Sequence, residues 1–198
     1  MKILGICGSP NVEDSTSYRA VEIALEEAEK QGFDTEIIHL GEYSLNPCQD
    51  CGACRTQLKC SQNDDFSNKI LPKLDDDNVV GFILSSPVYF GGMTAQLKMF
   101  IDRAVMFRRN GFKFENKVAG AIAVGRSRNG GQELTVIEIA KAMMVHGMII
   151  VPDSSPTSHF GGILHSGAEG GMESDEIGIK TARNLGYKVA EISKKLNS

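Results

Sequence analysis

Four of the chain's five cysteines, Cys48, Cys51, Cys54 and Cys60, fall within thirteen consecutive residues of the stretch NPCQDCGACRTQLKCSQND, Asn46 to Asp64. Thiolate is a soft ligand, and four thiolates on one centre suit zinc or an iron–sulfur cluster. Structural zinc usually takes two Cys-x2-Cys knuckles well separated in sequence. Here three cysteines follow one another at x2 intervals with the fourth close behind, as in the Cys-x2-Cys-x2-Cys run that wraps a cubane [4Fe–4S] cluster. The final spacing is x5, and Ser61 rather than proline follows Cys60. A copy of a two-cluster ferredoxin is therefore not expected, and one cluster from four local ligands is. Zinc, redox disulfides and unligated thiols are the alternatives. Four thiols as plain core residues fit poorly, because Gln49, Asp50, Arg55, Gln57 and Lys59 make the segment polar.

A second group with chemical capacity lies in CGSPNVEDSTS, Cys7 to Ser17. Ser9, Asn11, Ser15, Thr16 and Ser17 are neutral donors crowded ahead of a helical pattern. A helix start adds free N–H groups and the positive end of a dipole, which together suit a phosphate ester. Ser15 could be a simple N-cap, but one cap does not call for five such residues. The dinucleotide fingerprint Gly-x-Gly-x-x-Gly and the Walker Gly-Lys-Ser/Thr are both missing from this turn. Cys7 does not read as a phosphatase nucleophile, because Glu13 stands six residues on, where that chemistry needs arginine. It reads as a small buried strand residue.

The elements that must position these groups follow from periodicity. Five apolar runs, 2–7, 35–40, 79–84, 118–124 and 148–151, read as strands, and all but 35–40 are nearly unbroken, as strands covered on both faces are. Helical stripes lie between them: Tyr18, Val21, Leu25 and Ala28; Leu97, Phe100, Ile101 and Ala104; Val136, Ala140 and Met143; Leu185, Val189, Ile192 and Leu196. A weaker helix is expected over 65–74, ended by the solvated run Asp75–Asp77. Strand and helix alternating five times predict an α/β three-layer sandwich, flavodoxin-like, with a five-stranded parallel sheet of order 2-1-3-4-5. The 198 residues are expected to form one domain over 1–198, with the cysteine-rich loop at 46–62 inserted in it.

Composition narrows the function. The chain is 41% hydrophobic and 23% charged with a net charge of −4, which argues against nucleic acid or an anionic membrane as the main partner. No run is long enough for a membrane span and no leader pattern opens the chain, so a cytoplasmic protein with reduced thiols is expected.

In parallel sheets, ligands bind outside the carboxyl ends of the strands. The loops there, 8–14, 41–63, 85–93, 125–130 and 152–172, are all rich in Gly, Ser, Asn or Cys. In the third, Pro87, Gly91 and Gly92 shape the backbone for close approach to a flat ligand, Val88, Tyr89 and Phe90 lie beside them, and Thr94 caps the next helix. The fourth, GRSRNGGQE, offers Arg126, Arg128, Gly131, Gln132 and Glu133. In the long fifth, His159, Phe160 and His165 could meet a cofactor, a partner or another copy. His39 and His146 read as ordinary element-end residues.

GSPN…STS, SPVYFGGMTAQLKMFIDR and GGQE together resemble the NAD(P)H-dependent FMN reductase superfamily from Met1 to about His146. The resemblance implies FMN, with its phosphate on Ser9, Asn11, Ser15, Thr16 and Ser17. The ribityl chain and ring would lie on Pro87, Val88, Tyr89, Phe90, Gly91, Gly92, Gly131 and Gln132. Joined to the compact cysteine motif, the pattern resembles the iron–sulfur flavoprotein family. That resemblance implies one FMN and one [4Fe–4S] cluster per subunit, a ferredoxin-type electron donor and a homo-oligomer, with no catalytic side chain required. Two other readings are an NAD(P)H-dependent FMN or quinone reductase with zinc or redox thiols in the loop, and a non-enzymatic redox or metal sensor.

Overall fold

Lys2–Cys7 (β1) lies inside the sheet, paired in parallel with Asp34–His39 (β2) on one side and Val79–Pro87 (β3) on the other. The computed structural model describes residues 1–198. β3 pairs with Val118–Gly125 (β4). The first residues of β4 pair with Ile149–Ile150 (β5) and its last four with Gly162–His165 (β6), again in parallel. The order is β2-β1-β3-β4-β5, with β6 beside β4. The predicted flavodoxin-like sheet is found, with a sixth strand that the apolar runs did not reveal.

That strand corrects the reading of 152–172 as one long connection. The expected strand 148–151 regularises only at two residues, although Val151 N–H still donates to the Ala119 carbonyl. Pro152 has no N–H to continue the ladder. The chain leaves the edge and returns at Gly161-Gly162. A Cβ on Gly161 would collide with the Ala121 carbonyl oxygen, so glycine is what lets the backbone close back onto β4.

Helices Thr16–Lys30 (α1) and Glu176–Leu196 (α6) cover one face of the sheet. Their residues Val21, Leu25, Leu185 and Val189 share a core with Ile3, Ile83 and Ile122. Gly186 of α6 rides against the Ala24 backbone, where any side chain would collide. On the other face lie Leu71–Leu74 (α2), Ala95–Arg103 (α3), Val105–Arg109 (α4) and Gln132–Met144 (α5), around Leu4, Phe66, Phe82, Phe107 and Ile139. Each fully buried Phe, Leu or Ile contributes about 1.5–3 kcal/mol by leaving water. β4 is buried along its whole length, while β2 at the edge is only half-buried over its first residues.

Local chemistry sets the ends. Ser15 and Thr94 cap α1 and α3, accepting from Tyr18 N–H and Leu97 N–H, each at 3.2 Å. The weak helix expected at 65–74 is a π-type turn at Phe66–Ile70 running into α2. Pro72 cannot donate back to Asn68, which relaxes the turn ahead of it. The predicted stripe on α6 is buried at Leu185 and Val189 and continues at Ser193, whereas Leu196, the helix's last residue, is half exposed. No helix is long and apolar enough to cross a membrane.

Candidate cofactor sites

The first, third and fourth loops meet at the carboxyl edge of β1, β3 and β4. After β1, Gly8 N–H donates to the Ser85 carbonyl and the Gly8 carbonyl accepts from Thr94 Oγ1 at 2.6 Å. A Cβ on Gly8 would sit 2.7 Å from Leu97 Cβ, so this turn tolerates no side chain. Ser9 Oγ accepts from Asn11 N–H and donates to the Asn11 carbonyl, closing a small local ring. Ser15 Oγ accepts from Tyr18 N–H as the N-cap, which leaves its O–H able to donate. Ser17 is 1% exposed and its Oγ has no hydrogen-bond partner. The N–H groups of Thr16 and Ser17 likewise have no acceptor in the chain. An orphaned buried hydroxyl beside free helix-end N–H groups is the polarity a phosphate ester would satisfy. Cys7 is fully buried, and burial pushes its thiol up.

In the third loop, Tyr89 N–H donates to the Gly92 carbonyl and Gly92 N–H to the Tyr89 carbonyl. Between them Phe90 and Gly91 both take positive φ, 51° and 76°, making a tight two-residue hairpin. Phe90 is fully exposed and Tyr89 is half-exposed. Phe90 is thus a non-glycine residue in the left-handed region with its ring in water. Glu138 of α5 braces this hairpin, its Oε2 accepting from Met93 N–H at 2.8 Å. The fourth loop packs against it: a Cβ on Gly131, at φ 108°, would stand 2.9 Å from Gly91 Cα. Gln132 is buried, donating through Nε2 to the Ser127 carbonyl and accepting through Oε1 from Gly130 N–H. Its side chain therefore shapes its own loop.

The cysteine loop lies elsewhere on the molecule. Cys48, Cys51, Cys54 and Cys60 border one cavity with Arg103, Val105, Met106 and Arg109 of α3 and α4, and no residue of the other three loops lines it. The cavity is about 20 Å³, room for one water. No three His, Cys, Asp or Glu side chains converge closely enough to hold a single metal ion. The donor set fits a cluster chemically. Four thiols face one space, Arg109 Nη1 donates to Cys54 Sγ at 3.1 Å, and Cys51 Sγ lies 3.0 Å from Ser61 Oγ. The Ser61 hydroxyl and the Ala53 N–H hold the Cys51 thiol below its ordinary value. Cys48 and Cys51 are exposed, and Cys54 and Cys60 are half-buried.

What ties this loop down was not foreseen. Arg103 is 1% and Asp64 5% exposed at their side chains, joined by two bonds of 2.7 and 2.9 Å. Arg103 Nη1 also donates to the Asn46 carbonyl, and Asp64 Oδ2 accepts from Asn46 N–H. One ion pair thus closes the loop at both ends. Nothing in the local sequence around either residue marks the pair, which meets across 39 positions.

Residues 1–162 match the family described as NADPH-dependent FMN reductase. A protein of Methanocaldococcus jannaschii described as an iron–sulfur flavoprotein is 48% identical over 194 residues, covering 98% of each chain. The chain belongs to the iron–sulfur flavoprotein family. Another member, from Methanosarcina thermophila, is 41% identical over 97% of this chain and 95% of its own. Among solved structures, FerB, a flavoenzyme NAD(P)H:(acceptor) oxidoreductase of Paracoccus denitrificans, superposes with a TM-score of 0.69. It is 16% identical and covers 98% of this chain and 97% of its own. A flavodoxin, WrbA-like protein from Agrobacterium tumefaciens gives 0.65 at 19% identity, covering 98% of each chain. At these identities the superpositions establish the flavodoxin-like fold alone. Membership of a flavoprotein family gives the chain a redox role.

Of the remaining sequence candidates, His159 and His165 share a cavity with Gln132 of the fourth loop. His165 lies on β6, and His159 is held on the buried Asp153 carboxylate, which also accepts from Thr157. Both histidines border a cavity of about 210 Å³ with Arg128, Asp175 and Thr181. Phe160 is exposed. His39 is buried below the first loop, 5.4 Å from the Tyr18 ring, and burial lowers its pKa. His146 is buried against Phe114 and likewise lowered, by burial and then by Arg108.

Proposed function

We propose that the chain is an electron-transfer flavoprotein working between a ferredoxin-type one-electron donor, a [4Fe–4S] cluster and FMN. Cys48, Cys51, Cys54 and Cys60 would hold the cluster. Ser9, Asn11, Ser15, Thr16 and Ser17 would hold the FMN phosphate, and Pro87, Val88, Tyr89, Phe90, Gly91, Gly92, Gly131 and Gln132 its ribityl and ring. The observation that carries this reading is the set of four thiols on one cavity lined by two guanidinium groups, on the same chain as the phosphate-ready first loop. A cluster moves electrons singly and FMN holds two, so together they match one-electron supply to two-electron chemistry. The protein's own task is orientation and tuning, with no side chain acting as nucleophile or base.

The cysteines sit on the α3–α4 corner, away from the flavin loops, which supports a homo-oligomer in which a neighbour's flavin meets the cluster. Leu134, Ile137, Met144 and Val145 leave an apolar face of α5 uncovered, as such an assembly would use. A single cytoplasmic domain is part of the same proposal.

Anaerobic purification followed by an absorption spectrum and iron, sulfide, zinc and flavin analysis tests it. The expected result is a brown protein with iron, sulfide and FMN, reduced by ferredoxin faster than by NAD(P)H. A colourless preparation would sink it. A yellow, zinc-containing or iron-free protein bleached by NAD(P)H would replace it with the second reading, a reductase of quinones or free flavin. That reading draws on the family's NADPH-dependent members.

Gly131→Ala should lower FMN affinity by at least tenfold. Alanine at φ 108° is strained, and its methyl would wedge the fourth loop off Gly91. Fluorescence titration of flavin-stripped protein with FMN measures this. Unchanged affinity would place the ring away from the Gly91–Gly131 contact.

A further inference from the structure

Every face of the Arg103 guanidinium but one is occupied. Its plane lies over the Phe66 ring, 4.6 Å from the centroid. Nη1 and Nη2 grip Asp64, and they also reach the Asn46 carbonyl and Ser67 Oγ. Only Nε–H, buried beyond the reach of water, has no acceptor. Buried guanidinium N–H groups are rarely left unpaired, because an unmade hydrogen bond there costs about 1–3 kcal/mol. Arg103 borders the cavity shared with the four cysteines.

We propose that Arg103 is a positioning residue for the iron–sulfur cluster, its Nε–H donating to a cysteine thiolate of that cavity while its other two nitrogens hold both ends of the cysteine loop. This rests on the reading of the four cysteines as cluster ligands. Hydrogen bonds to cluster sulfurs, and a nearby positive charge, stabilise the more negative reduced state and raise the reduction potential. The ion pair, the ring beneath it and the helix fix the guanidinium before any cluster arrives. The donor is pre-organised and buried, whereas the Arg109 donor to Cys54 is partly open to solvent.

The test uses the full chain with native Arg103, produced with arginine labelled with 15N at Nε only and reduced anaerobically with dithionite. Pulsed electron paramagnetic resonance of the reduced cluster should show an isotropic 15N coupling, which proximity without a hydrogen bond does not produce. Arg55→Lys and Arg109→Lys should keep it, and Arg103→Lys should lose it. Arg103→Lys should also shift the cluster midpoint potential to more negative values, although the charge is retained. Should Arg103→Lys fail to hold iron, persistence of the coupling in Arg55→Lys, Arg109→Lys and a third variant, Arg108→Lys, assigns it. A silent nitrogen in protein carrying full iron and sulfide overturns the proposal, as does a coupling that survives in Arg103→Lys. Protein without iron or sulfide instead overturns the reading of the cysteines, and the analysis of the same sample tells the two failures apart.

Discussion

Cys54→Ser should strip the chain of iron and acid-labile sulfide at least tenfold while leaving its FMN content within twofold of the parent. Serine keeps the shape of cysteine but offers a hard hydroxyl that stays protonated, where the cluster needs a soft thiolate. Cys54 is the thiol best built into the scaffold: half-buried, packed on the sheet-face core, and hydrogen-bonded by Arg109. Its backbone carbonyl also accepts from Asn110 Nδ2 at 3.0 Å. The flavin loops share no residue with its cavity, so the two cofactors should be lost independently. Iron, sulfide and flavin assays on anaerobically purified protein decide it. Full retention of iron would remove Cys54 from the ligand set, and joint loss of flavin would contradict two separate sites.

The second large effect concerns stability. Asp64→Asn should cost about 3–5 kcal/mol, because it leaves Arg103 as a buried charge with no counter-ion. Burial alone would raise the Asp64 pKa. The Arg103 guanidinium and the N–H groups of Asn46 and Ser67 outweigh that and hold it at about 2, against an ordinary 3.8. The sign follows: the folded carboxyl gives up its proton more readily than the unfolded one. Its stabilisation is full above the ordinary value and is lost as pH falls through about 2. That linkage is worth about 2 kcal/mol at neutral pH, and the remainder of the expected loss is the stranded guanidinium. Urea unfolding followed by far-ultraviolet circular dichroism, at neutral and acid pH, measures both. Arg19→Ala, which removes the exposed contacts to Glu22 and Glu26, is the contrast at about 0–1 kcal/mol. Equal losses in the two variants would show that the Asp64–Arg103 pair is no anchor.

The sheet was legible because its strands are unbroken apolar runs and its helices carry apolar stripes, patterns set by two-sided burial. β6 was hidden because GILH is four residues long and its partner β4 is already read as paired with β5. Only the proline after Val151 and the glycines at 161 and 162 mark the break. At the site, residue types announced themselves where the chemistry is local: four thiols at close spacing, five small donors before a helix. Arg103 and Asp64 did not, because their meaning comes from a contact across 39 positions, which no local pattern encodes. The same holds for Glu138, whose brace on Met93 spans 45. Gln132 shows the converse, a polar side chain at a promising position that is consumed within its own loop.

Phe90 has a further consequence for how the molecule keeps to itself. Its ring is fully bathed in solvent at the tip of the Tyr89–Gly92 hairpin, so it adds nothing to the cohesion of the chain that carries it. Uncovered aromatic surface is what drives unwanted self-adhesion. With FMN placed on this rim as proposed, an FMN-free preparation should clump at concentrations that the FMN-loaded one tolerates, which light scattering measures.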